Sequence, residues 1–103
     1  MFSSYDVFLS PVVRRARLPL GELAPTREYD PLRADLIDFA SYTPAQNAAG
    51  VPAMTVPLGW TPDGLPVGTQ FTAALGGEAT LLALALELER ARPWTGHRPP
   101  VSA

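Results

Sequence analysis

The chain has 103 residues and a formal net charge of −2, which allows one small domain and gives no electrostatic case for nucleic acid. It contains no cysteine, so disulfides and thiolate metal sites are excluded and nothing opposes a cytoplasmic location. All eight basic residues are arginines, which stay protonated, so no general base of the lysine type is present.

The opening segment "MFSSYDVFLSP" has no basic stretch followed by a long apolar run and does not read as a signal peptide. No apolar run reaches the roughly 18 residues that cross a bilayer, so no membrane partner is expected. Asp6 to Ser10, "DVFLS", is a short apolar, β-prone run stopped by Pro11, and predicts a buried strand. From Pro11 to Tyr29, prolines and arginines are scattered without period, which predicts a loop. A loop of that length marks a functional segment or a contact with structure outside the chain. Its arginines read as a solvated face.

Asp30-Pro31 predicts a helix start, with aspartate as the cap and proline at the first helical position, and the helix is expected to end near Phe39. Asp35 and Asp38 then fall on its wet face. Thr43-Pro44 repeats the device, and Gly50 supplies the stop for a second short helix, "PAQNAA". Pro52 to Gly59 and Leu65 to Ala73 are both strand-like, and "TPDG" between them fits a type I turn with Gly64 in the left-handed conformation. Together these predict a β-hairpin. Pro52, Pro57 and Pro66 cannot donate to a ladder and belong at strand ends or on an open edge.

The final helix is predicted over Glu78 to Ala91, after Gly76-Gly77 and before Pro93. Between Ala79 and Leu86 every residue except Thr80 is apolar. A surface helix carries one apolar stripe, whereas a helix apolar all round is buried on several sides. The remaining elements are too few to enclose it. The chain is therefore expected to pack against much more protein.

Candidate chemistry is sparse. Ser3, Ser4, Ser10, Ser41 and Ser102 lie in no Gly-x-Ser-x-Gly context and near no evident base. His97, the single histidine, sits in the tail "PWTGHRPP" and cannot build a multi-histidine metal site. "GLPVG" lacks the lysine and the strand–loop–helix setting of a phosphate loop. Trp60 and Trp94 read as anchors for the hairpin and the tail. Neither a catalytic residue nor a metal or cofactor site is expected from this chain.

Four stretches share one pattern: "YDVFLSP", "YTPAQNAAGVPAMTVPLGWTPDGLPVGTQF", "GGEATLLALALELE" and "PWTGHRPP". Their order resembles the C-terminal part of an amidase-signature hydrolase, a family that cleaves C–N bonds of carboxamides. The resemblance is carried by Asn47, Gly50, Pro52, Ala53, Pro57, Gly59, Asp63, Gly64, Leu65, Pro66, Val67, Gly68 and Gln70. "GWTPDGLPVG", the Glu-Ala-Thr-Leu-Leu helix start and the Pro-Trp tail are most similar to the branch of aminohexanoate cyclic-dimer hydrolases.

The resemblance implies an α/β fold with a mixed sheet, of which residues 1–103 form a single partial domain containing the hairpin and a long apolar C-terminal helix. It also implies a serine nucleophile, a second serine and a lysine in a Gly/Ser-rich signature of the N-terminal half; this sequence contains neither that signature nor any lysine. The chain would then complete the sheet and lend a wall to the pocket for a small-molecule amide. Phe39, Tyr42, Thr43 and Asn47 are the expected wall; Gly50, Pro52, Gly59, Gly64, Gly68 and Gln70 are the expected structural motif. In the branch acting on charged tRNA an aspartate stands where this chain has Ala40, so glutamine amidation is not expected and an apolar-walled pocket is. Alone, such a chain is expected to need an N-terminal half or to self-associate. Two alternatives remain open, a non-catalytic binding module on the same half-fold and one half of a split amidase.

Overall fold

The computed structural model describes residues 2–98. The end of the "PWTGHRPP" tail and Ser102 lie outside the described residues. Three strands and three helices follow in the order β1 (Val7–Pro11), α1 (Tyr29–Phe39), α2 (Pro44–Ala49), β2 (Ala53–Trp60), β3 (Pro66–Ala73) and α3 (Glu78–Ala91). This is a mixed α/β arrangement of a small sheet and helices. The sheet order is β1-β3-β2 and both pairings are antiparallel, so the strands of this chain are not themselves mixed.

The hairpin follows from its turn residues. Gly64 N–H donates to Thr61 O at 2.9 Å and Thr61 N–H to Leu65 O at 2.8 Å, and Gly64 takes φ +82°, open to glycine without a Cβ clash. Pro66 opens β3, Pro52 stands just before β2, and Pro57 lies on the edge strand β2 at a register irregularity between Pro57 and Gly59. Each proline avoids an internal ladder position, as its missing N–H requires.

Alternation divides the residues of β3 between two faces. One carries Phe71 and Ala73, which with Val56 and Leu81 of α3 form the buried core; Val7, Met54, Leu58, Leu84, Leu88 and Trp94 pack around it. The other carries Gln70 and Thr72, which are buried together with Ser10 of β1. Gln70 through Ala73 are buried without interruption, the mark of a strand covered on both sides.

One expectation about the helices is corrected. α1 begins at Tyr29 with Glu28 as its flanking residue, so Asp30 lies inside the first turn instead of capping it. The first ladder bond runs from Leu32 N–H to Glu28 O at 3.1 Å. Pro31 therefore sits where an amide has no intrahelical acceptor, and its missing N–H is harmless one turn into the helix. α3 forms over the expected 14 residues, and the other elements do not enclose it, as expected: Leu81 is its one buried residue. Leu82 is 66% and Leu86 56% exposed, so the described residues cover one side of the helix and leave an apolar flank bare. No described helix is long and apolar enough to cross a membrane.

The segment between β1 and α1 has no regular structure, as expected, but its arginines are not simply solvated. Arg14 pairs with Asp38, Arg15 with Glu22, Arg17 with Asp63, and Arg27 with Asp35 at 2.7 Å. Three of the pairs fasten the segment to α1 and to the hairpin turn, and Arg15–Glu22 lies within the segment itself. All are partly exposed, where a single pair contributes about 0–1 kcal/mol.

Candidate functional site

The corner between α1 and α2 gathers three of the four expected wall residues. Phe39 ends α1, half-buried, and its carbonyl accepts from Arg14 N–H at 3.2 Å. Ser41 Oγ donates back to α1, to Ile37 O at 3.1 Å, and also lies against Asp38 O, closing the end of the helix. Tyr42 is exposed and Thr43 half-buried; Thr43 flanks α2 without a side-chain cap. Asn47 stands one helical turn further along α2, exposed.

These residues share one corner, and none of them lines either of the two concavities described next. Two concavities are present elsewhere. The smaller, about 240 Å³, lies between α2 and the sheet and is lined by Phe2, Phe8, Ala45, Gln46, Ala49, Val51 and Thr72.

Gln46 ties this corner to the sheet. With its amide nitrogen turned toward the neighbouring carbonyls, it donates to Tyr42 O at 2.6 Å and Thr43 O at 3.1 Å, and its Oε1 accepts from Gln70 Nε2 at 3.1 Å. Gln70, part of the expected motif, is 4% exposed, and this bond satisfies an amide that would otherwise be buried unpaired. Gln46 has no counterpart in the sequence reading. Its signal there was only a polar residue on the inner side of a short helix.

The glycines of the motif have separable tasks. Gly50 ends α2 at φ +67°, and the amides of Gly50 and Val51 return to Asn47 O and Gln46 O at 3.4 and 3.3 Å. Pro52 O then accepts from Ala73 N–H at 3.1 Å, aligning the start of β2 with the end of β3. Gly59 lies at the β2 irregularity. At Gly68 a Cβ would lie 2.8 Å from Val12 Cγ2 and 2.9 Å from Thr55 Cγ2, so a hydrogen is all the site admits.

A larger cleft of about 840 Å³ opens at the hairpin tip, lined by Pro57, Trp60, Asp63, Gly64, Leu65, Pro66, Trp94, His97 and Arg98. Trp60 and His97 stack across it with ring centroids 4.0 Å apart and an interplanar angle of 19°. His97 N–H donates to Trp94 O at 3.0 Å. The tail is thus folded onto the hairpin through the two tryptophans, the anchoring expected of them. Among the described residues no cluster of three or more His, Cys, Asp or Glu side chains could hold a metal ion.

Comparison with known proteins matches the amidase family over residues 1–82. A protein named as amidase AmiC, from Mycobacterium tuberculosis, is 46% identical over 102 residues, covering 98% of this chain and 21% of its own length. An acylamidase of Rhodococcus erythropolis is 40% identical over 98 residues, covering 94% of this chain and 20% of its own length. The solved structure of a 6-aminohexanoate cyclic dimer hydrolase superposes with a TM-score of 0.80 at 34% identity, over 93% of this chain and 21% of that one. The chain therefore spans about a fifth of the relatives it matches. With the family model matched over residues 1–82 and these likenesses over nearly all of its length, the chain belongs to the amidase family.

Proposed function

We propose that residues 1–103 are a single partial domain, the C-terminal structural and substrate-pocket portion of a hydrolase acting on the C–N bond of linear or cyclic carboxamides. The observation that carries this reading is the family match over residues 1–82 in a chain that spans about a fifth of its relatives. The absence of any lysine and of a Gly/Ser-rich serine signature supports the reading that the reacting groups come from the remaining body. Phe39, Tyr42, Thr43 and Asn47 supply one wall of the pocket, closed from the other side by that body. The apolar and aromatic character of Phe39 and Tyr42 suits an acyl chain or an aryl amide. Ala40 offers no carboxylate to an α-ammonium group, which disfavours glutamine.

The test is an assay of the pure chain and of a chimera in which it replaces the matching fifth of a longer relative. The chain alone is expected to show no turnover of a simple carboxamide or a cyclic amide, because the members of a catalytic triad act as a unit. The chimera is expected to hydrolyse such an amide. Turnover by the pure chain that is lost on mutating one of its own serines would overturn the proposal.

A further inference from the structure

The corner that carries the proposed pocket wall has little apolar anchorage. Neither α1 nor α2 contains a buried residue, so neither helix is fixed by a side chain sunk into a core. α2 has only six residues, too few to hold its shape by helix propensity, and Thr43 makes no side-chain cap at its start. The ties of the corner are polar instead. At one end, Arg14 N–H donates to Phe39 O at 3.2 Å and Arg14 pairs with Asp38, which joins the end of α1 to the segment leaving β1.

At the other end the tie is a single side chain. Gln46 is half-buried; its amide nitrogen donates to Tyr42 O at 2.6 Å and to Thr43 O at 3.1 Å, while its Oε1 accepts from Gln70 Nε2 at 3.1 Å. Gln70 belongs to the central strand, stands opposite Ser10 on one side and Thr55 on the other, and is buried. One amide thus joins two backbone carbonyls of the wall to the middle of the sheet. The rest of α2 offers no second tie of this kind: Ala45, Ala48 and Ala49 have no polar side chain, and Asn47 is exposed.

We infer that Gln46 is a positioning residue of the amide pocket, which sets how far Tyr42 and Thr43 stand from the sheet and so how the acyl part of the substrate fits. The inference rests on the proposed reading that these residues wall that pocket. Gln46 acts through the backbone of the wall. The wall meets the part of the amide that does not react, so its contacts are the same in bound substrate and in transition state. Binding of that kind appears in KM and leaves kcat alone. A short acyl group does not extend to the wall, whereas a longer chain or an aryl ring does.

Kinetics of the chimera carrying Gln46→Met or Gln46→Glu, on acetamide, hexanamide and benzamide, test this. Methionine keeps the length of the side chain and loses all three bonds; glutamate keeps an acceptor for Gln70 and loses both donors. Each variant is expected to raise KM for hexanamide and benzamide by about five- to tenfold, the scale of one net hydrogen bond. The kcat on every amide and the KM for acetamide should stay within about twofold. Gln46→Glu, which retains the bond to the buried Gln70, carries the comparison where Gln46→Met does not fold. Equal losses on all three amides would mark Gln46 as a residue of general stability and overturn the inference. Unchanged KM values in folded variants would show that the corner keeps its place without Gln46, and would overturn it as well. A folded parent chimera that turns over none of the three amides would overturn the functional reading itself, a result distinct from an active parent whose variants match it.

Discussion

Gly68 shows how tightly one residue can be specified in so small a sheet. The methyl groups of Val12 and Thr55 close over it from the loop and from β2, and both belong to β-branched side chains with little freedom to turn away. Gly68→Ala is therefore expected to lower stability by about 1–3 kcal/mol, the usual range for overpacking, measured by denaturant titration. Gly59 is the control: a Cβ there meets only Val67 Cβ at 3.7 Å, and Gly59→Ala should change stability by well under 1 kcal/mol. Equal losses at the two positions would show that the close contacts at Gly68 relax freely. Gln70 depends in a similar way on Gln46, but through polarity: the half-buried Gln46 amide accepts from the buried Gln70 amide across two elements.

Among the elements, α3 separates what is buried from what is merely apolar. Leu81 lies in the core and Leu84 beside it, while Leu82 and Leu86 face outward. Leu81→Ala should destabilise the chain by about 2–4 kcal/mol, and Leu84→Asp should lower Tm markedly by bringing an unpaired carboxylate against the core. Leu86→Ser should have almost no effect at dilutions where the chain is monomeric; a loss there as large as that of Leu81→Ala would mean that the outer flank is covered within the chain. The hairpin was legible in the sequence because Pro62, Gly64 and the flanking runs encode it locally, and α2 because Pro44 and Gly50 bracket it. The start of α1 was not, because both Tyr29 and Asp30 are acceptable first-turn residues before a proline. That α3 would not be enclosed was legible, but which side is covered was not, because an apolar helix without a 3.6-residue stripe carries no information about it. The Trp60–His97 stack and the Arg14–Asp38 and Arg17–Asp63 pairs join residues distant in sequence, and no local pattern announces them.

At the scale of the molecule, the bare flank of α3 and the open edge of β1 are surfaces of the kind that drive association. The isolated chain is expected to self-associate, most simply as a symmetric dimer that buries Leu82 and Leu86, or else to be poorly soluble. Light scattering on purified material should give a mass of at least twice the chain. A monomer that unfolds cooperatively and binds no apolar dye would identify a self-sufficient domain, and a role as a binding module would then gain support.

The register of β1 has a kinetic consequence. Pro11 lies opposite Thr69, so the first strand of the chain pairs with one of the last, across a loop that contains α1, α2 and β2. Loop-closure entropy must be overcome before that pairing yields any stabilisation, and each doubling of the loop adds about 0.6 kcal/mol to the cost. The hairpin, by contrast, closes locally around Thr61 to Leu65 and can form early. Within residues 1–103, β1 is made before β3, the strand it pairs with. Until β3 has been made, "VFLSP" is a short apolar strand without that partner, open to other edges.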